Sequence, residues 1–108
     1  MATWADFQKL DIRVGRVVDV RDFPEARKPA YRLWIDFGEL GVKRSSAQIT
    51  DLYKKEDLVG RLVVAVVNFP PKQIATFMSE VLVLGALDKL GVVLLAPDRE
   101  VPPGTPVA

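Results

Sequence analysis

The chain has 108 residues, of which 49% are apolar, and its 15 basic and 14 acidic side chains leave a net charge of +1. That length and composition predict one small domain, residues 1–108, with a core of its own, and the near-neutral balance argues against a dedicated nucleic-acid binder, which carries a clear basic excess. Cysteine and histidine are both absent, which excludes thiol nucleophiles, Ser-His-Asp triads, histidine bases, zinc fingers and HExxH helices, so neither a metal nor a cofactor is expected.

Taken in chain order, Thr3-Trp4-Ala5-Asp6 has the form of a capping box with Asp in place of Glu. It opens a short helix in which Trp4, Phe7 and Leu10 recur at three-residue spacing. Such a stripe needs cover, from the domain's own barrel end or from a second copy, and residues 1–10 are expected in a dimer contact. Asp11 to Asp22 alternates as a long first strand, with Ile12, Val14, Val18 and Val20 on one side and Arg13, Asp19 and Arg21 on the other. Gly15 inside it permits a sharp bend, so that one strand can serve both halves of a small barrel. Phe23 to Pro29 is a loop by its prolines and its charge. The second strand turns Tyr31, Leu33, Ile35 and Phe37 inward and Arg32, Trp34 and Asp36 outward. Trp34 on the polar face is either half-covered by Arg32 in a cation–π contact or an anchor for a partner.

Gly38 to Gly41 closes a hairpin into a polar third strand, Val42 to Ile49, in which Arg44, Ser46 and Gln48 point one way. That face is either a solvated exterior or a set of donors and acceptors for a ligand. Thr50 is expected to cap a helical segment through Tyr53, continuing or restarting at Glu56 to Val59, with Gly60 as its stop. The unbroken apolar run Leu62 to Val67 reads as a strand covered on both faces. Pro70-Pro71 then takes the chain out of the sheet. The segment that follows, to Glu80, mixes large apolar residues with donors where a solvated loop favours Gly, Ser, Asn and Asp. Phe77 and Met78 there either plug the core or contact a ligand, and their polar neighbours favour contact. Val81–Leu87 and Val92–Leu95 pair as a hairpin around Asp88 to Gly91, and the proline-rich tail from Val101 is expected to lie irregularly across a surface.

Five strands with a helix between the third and fourth make an all-β, OB-fold barrel with short helices at the N-terminus and between strands 3 and 4. No apolar run approaches 18 residues and no charged-then-apolar leader opens the chain, so no membrane insertion or secretion signal is expected and the cytoplasm is the expected compartment.

The stretches KLDIRVGRVVDVRDFPEAR at Lys9–Arg27, SSAQIT at Ser45–Thr50 and VVNFPPKQIATFMSEVLVLGA at Val66–Ala86 resemble the CsaA family of export-related cytoplasmic chaperones. That family sits within the wider group of tRNA-binding OB domains, similar to the C-terminal appendix of methionyl-tRNA synthetases. The resemblance implies a homodimer built from the N-terminal helix, the last strands and the tail, whose grooves accept unfolded or preprotein segments and pass them to the secretion machinery. Where the wider group commonly carries His-Pro followed by Ala-Asp, this chain has Phe23-Pro24-Glu25-Ala26-Arg27. Ile74-Ala75-Thr76-Phe77 also lacks the Arg-Gly usual before the shared serine. Both departures favour the chaperone branch.

Three functions from different classes can be weighed on these residues. A peptide-binding chaperone would use Phe77, Met78, Phe69 and Trp34 as adaptable apolar contacts, with Arg44, Ser45, Ser46, Gln48, Asn68, Lys72, Gln73 and Ser79 bonding the peptide. A tRNA-binding module, the runner-up, would meet phosphates through Arg13, Arg16, Arg44 and Lys72. Seven positive and four negative residues between Lys9 and Arg32 leave a local +3 that keeps this reading open. An enzyme would need a carboxylate pair in a cleft, and Asp6, Asp11, Asp51, Glu56 and Asp57 show no such spacing, so no catalytic residues are expected.

Overall fold

In the computed structural model, which describes residues 1–108, the alternating segment Ile12–Asp22 is one continuous strand, β1. Two further strands, β2 (Tyr31–Asp36) and β3 (Val42–Ala47), add antiparallel on one side of it. On the other side lie β4 (Leu62–Val66) and the short strand that ends up as β7 (Leu82–Val83), giving the order β3-β2-β1-β4-β7. The sheet curls until its ends nearly meet: Glu80 N–H donates to the Arg44 carbonyl at 2.8 Å, and the Ser46 N–H donates to the Ser79 hydroxyl at 3.0 Å. This is the expected all-β OB barrel.

Period-two patterning explains most of the core. Leu33, Ile35 and Phe37 of the second strand and its continuation are wholly buried, with Val63 and Ala65 of β4 facing them. Gly15 allows that approach, since a Cβ there would stand 2.5 Å from Ile35 Cγ2 and 2.6 Å from the Phe37 ring. Along β1 the expected inward set needs one correction. Val17 is buried and Val18 is 46% exposed, because a bulge shifts the register between Val17 and Asp19.

The helix between β3 and β4 is also shorter than expected. Residues 50–52 form a turn rather than a capped helix, and α2 spans only Lys55–Leu58, after an N-cap Lys54 that makes no side-chain cap. Leu58 plugs the barrel end, and the Gly60 N–H, at φ +89°, donates to the Val17 carbonyl at 2.8 Å. Lys55 reaches Asp22 at 2.7 Å, and that hydrogen bond holds the ammonium pKa above its ordinary value. At the N-terminus the capping box forms as expected, with Thr3 and Asp6 bonded reciprocally at the start of α1 (Trp4–Gln8).

Beyond β4 the expected loop is a hairpin of its own, β5 (Lys72–Ile74) and β6 (Phe77–Ser79), paired through three residues on each side. Ala75 takes the turn at φ +52°, a conformation that few non-glycine residues adopt. The hairpin around Asp88 to Gly91 forms as β8 (Gly85–Asp88) and β9 (Gly91–Leu94). The tail is more regular than its prolines suggest. Gly104 and Thr105 exchange hydrogen bonds with Val14, and β10 (Pro106–Val107) pairs with the start of β1. No helix is long and apolar enough to cross a membrane.

Candidate binding groove

The outward residues of β3 and the β5–β6 hairpin share one surface with the loop before β2. A groove of about 940 Å³ runs between them, with Ser46 and Gln48 as its floor, Lys72 and Gln73 on one wall and Arg27 and Lys28 on the other. A second depression of about 500 Å³ continues from Ser46 and Gln48 past Ser79 and Ile74 to the apolar side chains of residues 81–84. A third, of about 320 Å³, joins Lys28 and Gln48 to Leu87. Gln48 lines all three. The alternation read in β3 therefore has a consequence, because residues 46 and 48 present polar groups to a concave surface that also offers aliphatic contact.

Several residues expected at a binding surface have other work. Phe77 is only 5% exposed: its ring lies edge-on to Phe23 at 5.5 Å and to Trp34 at 5.8 Å, beneath the Arg44 guanidinium. Together with Ala30 these rings make a second small core under the hairpin. The expectation of an exposed Phe77 is thus corrected, because hairpin pairing with Ile74 turns the ring inward against the barrel. Met78, on the opposite face of the strand, is half-buried. Ser45 is corrected in the same way, since β3 alternation turns it fully into the interior, where its hydroxyl donates to the Ser46 carbonyl at 3.1 Å. Asn68 is committed to the backbone. Its amide donates to the Lys9 carbonyl and accepts from the Asp11 N–H, both at 2.8 Å, which straps the end of α1 to the end of β4. Trp34 is half-buried against Phe77 and carries Arg21, at 5.3 Å, in place of the expected Arg32. Arg32 donates to the Asp22 carbonyl and so lies over Phe23 instead. Phe69 is exposed at the root of the hairpin.

The four cations expected to meet phosphate are not gathered on one face. Arg13 is bonded to both Asp11 oxygens and to the Gly104 carbonyl, beside the tail, and the Asp11 hydrogen bond raises its already high pKa further. Arg16 is held by Glu100 and the Gly60 carbonyl. Arg44 sits beside Glu80 at 3.4 Å, while Lys72 alone of the four makes no ion pair. Glu80, next to the groove, also accepts from the Arg44 N–H at 3.1 Å, so this carboxylate closes the barrel. Glu25, Ala26, Arg27 and Lys28 line the groove but were not among the residues expected to bind. A proline-bounded charged loop gave no sign that it would fold against the third strand.

A family model described as "Putative tRNA binding domain" matches residues 12–106. The crystal structure of the chaperone CsaA from Bacillus anthracis str. Ames superposes with a TM-score of 0.95 at 58% identity, covering 100% of this chain and 99% of that one. The chain belongs to the CsaA group of the tRNA-binding domain family. The CsaA chaperone protein of Picrophilus torridus is similar to the same degree, at 59% identity and a TM-score of 0.96, with both chains covered completely. Methionine–tRNA ligase of Nanoarchaeum equitans is 39% identical over 109 residues, which is 99% of this chain but 14% of the ligase. The chain thus spans about one seventh of the length of that curated relative.

Proposed function

We propose that the protein is a chaperone that captures unfolded or preprotein polypeptide in the groove over β3 and the β5–β6 hairpin, as a homodimer in the cytoplasm, and assists export by passing its clients to the secretion machinery. The observation that carries this reading is the whole-length likeness to two CsaA chaperones. The groove suits the task. The Ser46 hydroxyl and Gln48 amide can bond any peptide backbone, as can the Gln73 side-chain carbonyl, whose amide N–H already donates to the Ala75 carbonyl at 3.0 Å, and the aliphatic wall at residues 81–84 accepts varied side chains without selecting one. Phe77 supports the hairpin from below. Its role is to hold Ile74 and Met78 in place for contact.

The dimer would cover the stripe on α1, where Trp4 is 68% and Leu10 39% exposed while Phe7 stacks on Trp4 at 5.6 Å. The exposed Leu87 and Leu90 of the β8–β9 hairpin would join it. We assign the chain no catalytic role.

A second reading, tRNA binding, is favoured by the family match over residues 12–106. Against it stand the internal partners of Arg13, Arg16 and Arg44, each of which would have to be given up for a phosphate. The direct test is suppression of aggregation when a chemically unfolded model protein is diluted into buffer, followed by light scattering. The wild type should suppress it, and a Gln48→Ala, Gln73→Ala variant with an unchanged melting temperature should do so several-fold less well. Wild type that fails to suppress aggregation contradicts the reading.

A further inference from the structure

Two features of the groove are unused by anything described above. The first is charge: Arg27, Lys28 and Lys72 are exposed together on its walls and, like six further cations spread over the rest of the chain, make no ion pair. The one carboxylate on those walls is Glu25, so three cations face one anion in a chain whose total is only +1. The second is backbone. Strand β5 pairs with β6 and with nothing else, and since alternate residues of an antiparallel strand turn their backbone groups to the partner, the Gln73 N–H and C=O are left unpaired beside the groove.

We propose that clients bind in extended form as an added strand on β5, and that Arg27, Lys28 and Lys72 select segments carrying acidic side chains. This rests on the polypeptide-binding reading and specifies its chemistry. An added strand presents alternate side chains to one face, so acidic residues two apart in a client would meet the cations together while the residues between them face away. The edge is also short by construction. Pro70-Pro71 ends it on one side and the Ala75 turn on the other, which limits pairing to the Gln73 backbone and discourages two copies from zipping together. A nucleic acid could use the same cations, but its backbone offers phosphate acceptors and no amide donors, so the Gln73 carbonyl favours polypeptide.

The test is titration of the full chain, by fluorescence anisotropy, with three unfolded peptides of equal length and apolar content. One alternates acidic residues, one alternates lysines, and the third is the acidic peptide with alternate backbone amides N-methylated. The acidic peptide should bind at least about tenfold more tightly than the lysine peptide, because like charges across a contact are strongly disfavoured. N-methylation should cost a comparable factor, and Lys72→Glu should erase the acidic preference. Equal binding of the acidic and lysine peptides overturns the charge selection, and unchanged binding after N-methylation overturns strand addition; in either case polypeptide capture itself stands. Displacement of the acidic peptide by equimolar single-stranded RNA assigns the cations to phosphate and overturns the proposal. If no peptide binds at all, both the proposal and the reading beneath it fail.

Discussion

Truncating Phe77 removes a ring held by two edge-on aromatic neighbours and a guanidinium, so the cost should fall on stability. A buried Phe→Ala change typically costs about 3–5 kcal/mol, which in a domain of this size lowers the melting temperature by more than about 10 °C. Thermal melting of Phe77→Ala checks this, and a shift of only a degree or two would mean that the ring does not hold the hairpin down. Asn68 predicts a smaller and more local effect. Asn68→Ala gives up two hydrogen bonds at an exposed position, worth about 1–2 kcal/mol together, and hydrogen exchange at the Asp11 amide should quicken more than exchange in β2. The residues alone left plug and contact both open for Phe77 and set Asn68 among the ligand contacts. Phe77 is buried by Phe23 and Trp34, which are remote in sequence, and the partners that commit Asn68, at Lys9 and Asp11, are more than fifty residues away.

Elements with a clear period were legible, and those defined by tertiary closure were not. The inward set of β2 follows from alternation with no competing pattern, as do the apolar β4 and the capping box of α1. The bulge in β1 was hidden because Val17 and Val18 are the same residue, and only the register with β2 decides which one turns inward. Hairpin β5–β6 was missed for a different reason: strands of three residues carry no usable period, and its turn places an alanine at φ +52°, where Gly or Asn would have signalled it. Gly15 gives the sharpest test of the packing between β1 and β2. Gly15→Ala forces a methyl to within about 2.5 Å of Ile35 and Phe37, and such overpacking usually costs about 1–3 kcal/mol, measurable by denaturant unfolding with an unchanged m-value. For α1 the prediction is association. A Trp4→Ala, Phe7→Ala variant should sediment more slowly than the wild type at equal concentration, and identical sedimentation would show that the stripe serves the domain's own end alone.

At the scale of the whole molecule, the groove on β3 and the near-neutral charge balance set the two candidate partners apart by physics. Phosphate recognition is dominated by counterion release, so a complex making six or more phosphate contacts should weaken by about a thousandfold between 50 and 200 mM salt. Capture of an uncharged, apolar, unfolded peptide depends on burial and backbone hydrogen bonds and should change little over that range. The decisive measurement is therefore a pair of titrations of the full chain at both salt concentrations, one with such a peptide and one with unmodified tRNA. The chaperone account predicts saturable peptide binding that survives 200 mM salt and is weakened by Gln48→Ala, Gln73→Ala, together with tRNA binding that is weak at low salt and lost at high salt. Tight tRNA binding with a steep salt slope, and no saturable peptide binding at either concentration, would contradict it.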